Sequence, residues 1–168
     1  MQAKKRPEQK PISFQLSLRI RHPSMDPALI SKELRIEPEY SFQAGQPRHL
    51  RSSIAPAAVH TESYWLAALN PSAWIGNQRF PEPHASVITQ KQIETAFARN
   101  LTWALSLCAV RLSKSHGALL HKIRADGGEI SVLVTLSADA VSSFSLAPEA
   151  ARAFGELGVT LEFEMAND

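Results

Sequence analysis

With Cys108 as its single cysteine, the chain has no internal disulfide framework and no paired thiols of the kind that hold a structural zinc. That cysteine falls in an apolar helical pattern and reads as a buried thiol, not a nucleophile. No run approaches the roughly 18 consecutive apolar residues of a membrane span, and the basic start is not followed by the apolar core of a signal peptide. The expected setting is therefore cytoplasmic, with no membrane partner.

An excess of either charge is also lacking. Eighteen Lys and Arg against 16 Asp and Glu leave a formal net charge of +2, too little to mark a nucleic-acid binder despite a pI of 8.9. No phosphate-binding glycine loop, dinucleotide fingerprint or nucleophile elbow occurs, so no catalytic residue and no cofactor are assigned. The six histidines show no ligand spacing. His116 and His121 do not share a helix face, and His49 with His60 and Glu62 falls short of three or four announced ligands, so no metal site is expected.

What is present is a chain of 168 residues, 44% hydrophobic, enough for one domain with a real core. Lys4, Lys5, Arg6 and Lys10 mark residues 1–11 as a flexible basic tail, and residues 12–168 are read as a single domain.

Phe14, Leu16, Leu18 and Ile20 alternate with polar residues and predict a strand with one buried face. Asp26 and Pro27 then supply a helix cap and first position, and the helix is expected to end near Leu34, ahead of Pro38. Ser63 to Leu69 predicts a second strand, apolar on both faces and so interior to the sheet or covered. Thr89 and Gln92 have capping-box spacing, and apolar residues from Ile93 to Leu112 predict a long amphipathic helix that Gly117 interrupts, with a shorter helix over 118–125. A third strand is expected around Ile130 to Leu136, a helix from about Leu146 to Leu157 closed by Gly158, and a last strand from Val159 to Met165.

Together these predict an α+β fold. It is a two-layer sandwich of about four strands, built as strand-helix-strand, helical insertion, strand-helix-strand, with the helices on one face.

Several of these features also occur together in one known family. Asp26, the Leu34-x-Ile36-x-Pro38 step, Gly45 with Arg48, and Ser63 with Trp65 resemble, in order and spacing, the small bacterial domain-of-unknown-function family numbered forty-two seventy-nine. The closing strand after Gly158 is similar as well. The resemblance implies a compact α+β domain and brings no reaction with it. The chain departs from the family pattern between Arg48 and Ser63 and over residues 74–84.

The stretch from Leu34 to Trp65 has neither helical nor strand periodicity, yet carries aromatic, proline, glycine and arginine residues. Irregular segments on rigid scaffolds are where binding residues gather. Two readings of Arg48 stay open: it fixes the loop by hydrogen-bonding backbone carbonyls, or it folds toward Trp65 to stack on the indole or bind an anionic group. Tyr40, Phe42, Trp74 and Phe80 are expected to form an apolar rim, with Arg79 nearby. The expected partner surface is thus Arg48, Trp65, Trp74, Tyr40, Phe42 and Arg79, and the expected role is a non-catalytic module that binds an unknown protein, of which an immunity-like protein is one version. Two alternatives stay open: nucleic-acid binding through the basic tail with Arg19 and Arg21, and a small-molecule enzyme or sensor with a pocket near Arg48. Self-association as a homodimer, through an open strand edge or the long helix, also stays open.

Overall fold

The computed structural model describes residues 13–48, 58–70, 90–137 and 145–165. Within them lie five strands, β1 (Ser13–His22), β2 (Tyr40–Phe42), β3 (Ser63–Leu69), β4 (Glu129–Ser137) and β5 (Thr160–Met165). Three helices accompany them, α1 (Pro27–Leu34), α2 (Gln90–Ala125) and α3 (Pro148–Leu157). The basic tail and the residues Trp74, Arg79 and Phe80 lie outside the described residues, as does the Thr89 cap.

The strands form one sheet in the order β2-β3-β1-β4-β5. β1 is central and antiparallel to both neighbours, while β4 and β5 run parallel with α3 between them. The fold is α+β, as its patterning predicts. The alternation in β1 sends Leu16, Leu18 and Ile20 into the core, opposite Leu69, Ala67 and Trp65 of β3 and Val134, Val132 and Ile130 of β4. Helical residues such as Ile30, Leu105, Leu112, Ile123 and Phe154 join the same cluster, so one apolar layer is shared by sheet and helices.

The first strand-helix-strand half is wired differently from expectation. β2 and β1 are each antiparallel to β3, so the crossover through α1 leads to β2, and β3 returns between them. β2 escapes sequence detection because three residues are too few to show a period. The supposedly irregular stretch continues as a ribbon with a bend: Gly45 N–H donates to His60 O and His60 N–H to Gln46 O, Pro47 bridges Val59, and Arg48 N–H donates to Ala58 O.

Gly117 does not interrupt the long helix. α2 runs unbroken for 36 residues, and a Cβ built at Gly117 would rest 3.7 Å from Leu157 Cδ2, so the glycine lies where α3 packs close. A mid-helix glycine costs about 1 kcal/mol, less than the burial of the flanking apolar positions returns.

Local signals fix the helix ends. Asp26 Oδ1 accepts from Ala28 N–H at 2.8 Å, and Arg35, at φ 55°, closes α1 with its N–H on Ser31 O. Ahead of that cap the buried His22 Nδ1 accepts from Ser24 and Met25 N–H, turning the chain from β1 into α1. At the end of α3, Gly158 has φ 64°, its N–H donates to Gly155 O and Val159 N–H donates to Phe154 O, the paired bonds of a Schellman turn.

Candidate functional site

The outer face of the sheet, opposite the helices, carries the side chains that alternate with the core set. At its β2 end stands an aromatic column. The Phe42 ring stacks on His60, with centroids 3.6 Å apart, and on Tyr64 at 5.2 Å. Tyr40 meets both Phe42 and Tyr64 edge to face, at 5.7 and 5.9 Å. Register explains the contacts: Phe42 lies directly opposite Tyr64, and Tyr40 opposite Leu66. Tyr40 is 57% exposed. Burial pushes the Tyr64 hydroxyl above its ordinary value, with Arg19 and Arg21 opposing.

Beside the column the two arginines of β1 are already engaged. Arg19 pairs with Glu162 and reaches Ser131 Oγ at 3.4 Å, while Arg21 pairs with Glu129 and stands 3.9 Å from Glu62. Hydrogen bonding from Ser131 and then the Arg19 charge hold the Glu162 carboxyl below its usual range. The two arginines thus meet three carboxylates, and Glu164 lies on the same face of β5. The face is aromatic at one edge and mildly acidic across the rest.

On the other side of β2 lies an open cleft of about 700 Å³, walled by α1 and by β2 with its following turn. Lys32 of α1, Arg35 at its C-terminal cap, Glu37, and Ser41, Phe42 and Gln43 line it. Asp26 contributes a wall but spends its carboxylate on the helix cap. Beyond α1, burial first, then the charges of Arg111 and Arg35, lower the pKa of His116.

The structure separates the expected site residues. Tyr40 and Phe42 stand together in the column. Trp65 belongs elsewhere: it is 0% exposed, on the helix-facing side of β3, with its indole N–H bonded to Ser31 Oγ at 2.9 Å. Its size and aromaticity suggest a contact residue, but its place in the alternation of β3 puts it in the core. Arg48 is exposed on the ribbon stem, held by its backbone, and does not stack on the buried indole. The cleft is lined from the α1 side and not by Arg48.

Tyr64 and His60 are column residues that the expected partner surface left out. Tyr64 was legible as the outward neighbour of Trp65, whereas the place of His60 depends on a ribbon with no periodic signal. Among the described residues no three His, Cys, Asp or Glu side chains converge as metal ligands, and none of the described helices is long and apolar enough to cross a membrane. Comparison of the chain with protein-family models, with curated proteins and with solved structures finds no match.

Proposed function

We propose that this protein is a non-catalytic binding module whose partner is another protein, recognised at the β2 end of the sheet. The observation that carries the reading is the aromatic column, because a cluster of Tyr40, Phe42 and Tyr64 on a sheet surface supplies large contact area at low cost in side-chain freedom. The charges argue for protein over nucleic acid. Arg19 and Arg21 are each neutralised by carboxylates on the same face, leaving little free positive charge there for phosphates.

The family resemblance belongs to the same proposal and concerns the frame. Asp26 caps α1, Leu34 and Trp65 are core, and the Ser63 hydroxyl accepts from Ala44 N–H at the bend after β2. Residues with those duties speak for a shared architecture, and an immunity-like role in the bacterial cytoplasm is the version of the reading that goes with it.

Affinity capture from the native host tests the proposal. A partner should be retained by the wild-type chain and by Lys122→Ala on the far side of α2, and lost with Tyr40→Ala and with Phe42→Ala. If every recovered protein binds all four chains alike, the aromatic column is not a recognition surface.

A further inference from the structure

His22 ends β1 in the same alternation that sends Leu16, Leu18 and Ile20 into the core, and it is 5% exposed. Its Nδ1 accepts from the backbone N–H groups of Ser24 and Met25, at 3.1 and 2.8 Å. An imidazole that accepts at Nδ1 carries its proton on Nε2 when neutral. That Nε2 is buried and has no hydrogen-bond partner among the described residues. The packing beside it is close: a Cβ at Gly128 would stand 2.9 Å from His22 Cδ2, the carbon bonded to Nε2, and 2.6 Å from Ile123 Cγ2. The turn from β1 into α1 is thus held by a titratable ring whose bonds require it to be uncharged.

We propose that His22 is a proton-operated latch: the β1–α1 turn closes on the neutral ring, and proton uptake opens the turn and loosens α1 against β3. This goes beyond the binding-module reading and does not depend on it. A protonated imidazole is a donor at both nitrogens, so an Nδ1–H would face the two N–H groups from which Nδ1 now accepts. Both amides would lose their acceptor, and the charge would be enclosed with no carboxylate bonded to either nitrogen. The charges on the surrounding elements are directed elsewhere. Arg21, on the other face of β1, takes Glu129 of β4 and stands near Glu62. Asp26 caps α1 through Ala28 N–H. Lys122, Arg124 and Asp126, around Ile123 at the end of α2, are exposed. Ser63, opposite His22 on β3, is neutral and accepts from Ala44 N–H. Because the open turn binds the proton and the closed turn does not, closure is favoured at high pH and is lost as the pH falls. The effect reaches the cleft, since α1 forms its wall and is tied to β3 by the bond from the Trp65 indole to Ser31.

Amide hydrogen exchange followed by NMR on the full chain reads the latch residue by residue. A free imidazole takes up its proton near pH ~6.5. Between pH 7 and pH 5, after correction for intrinsic rates, protection of the Ser24 and Met25 N–H groups and of the Trp65 indole N–H should therefore fall about tenfold or more. Leu18 and Val132, inside the sheet, should keep their protection. His22→Asn supplies the control, because an asparagine Oδ1 can accept from the amides two and three residues on and takes up no proton. In that chain the protection of the turn should not change with pH.

Protection of the turn that holds from pH 7 to pH 5 in the wild-type chain overturns the proposal. So does an equal loss in His22→Asn, which would assign the proton to another group. Loss at Leu18 and Val132 together with the turn would make the event acid unfolding of the whole domain and not a latch. Should His22→Asn fail to fold, the wild-type ring decides. Its 15N shifts should show Nδ1 unprotonated wherever the turn is protected, and an imidazolium coexisting with protected Ser24 and Met25 amides ends the proposal.

Discussion

The indole N–H of Trp65 donates to the Ser31 hydroxyl at 2.9 Å, and that hydroxyl in turn donates to Pro27 O at 3.3 Å, so the buried side of β3 is tied to the first turn of α1 through one oxygen. Ser31→Ala leaves the indole donor buried without an acceptor, at a cost of about 1–3 kcal/mol. In a Trp65→Phe background, which has no donor to strand, the same change should cost much less. Urea denaturation of the four chains measures the coupling, and additivity within about 0.5 kcal/mol would mean that the bond does not contribute to stability.

Gly117 offers a gain in place of a loss. Its Cβ position is 3.7 Å from Leu157 Cδ2, ordinary contact, and its backbone is helical. Gly117→Ala should stabilise the protein by about 0.5–1 kcal/mol, by lowering the freedom of the unfolded chain and adding one methyl contact. A fall in the denaturation midpoint would show that α2 and α3 have no room between them.

Glu162 gives the sheet an acid limb. Its carboxyl is held below the ordinary value of 4.5, first by Ser131 and then by Arg19, against the opposing effect of burial. Its contribution is therefore complete above 4.5 and is lost as the pH falls below that value through the depressed folded-state pKa. The stability difference between wild type and Glu162→Gln, within the range of about 0–1 kcal/mol usual for surface pairs, should shrink toward zero from pH 6 to pH 3. A difference that grows on acidification would reverse the sign of the shift.

Cys108 is 0% exposed, and burial pushes its thiol up to about 12. Alkylation at pH 8 should be at least about a hundredfold slower in the native protein than in denaturant. Equal rates would place the thiol at the surface.

The legible parts of the fold are those where one periodic signal spans several residues. The alternation of Phe14 to Ile20 and of Ile130 to Leu136, the Asp26-Pro27 start and the Gly158 stop all stand where their local chemistry puts them. β2 was not legible because its three residues are defined by pairing with β3, a contact more than twenty positions away. Gly117 misled because propensity is a weak term against tertiary packing. In the candidate site, Tyr40 and Phe42 could be singled out by residue type alone. Trp65 could not be assigned that way, since an indole serves a core and a contact surface equally well and only its face of β3 decides.

The central place of β1 also bears on how the chain acquires its shape. β1 precedes every other described element, yet one of its flanks is closed by β4, more than a hundred positions later. A growing chain must therefore carry a half-covered apolar strand until β4 has left the ribosome. Loop-closure entropy makes such distant pairings slow, so folding should be late and chaperone-sensitive compared with helical domains of the same size.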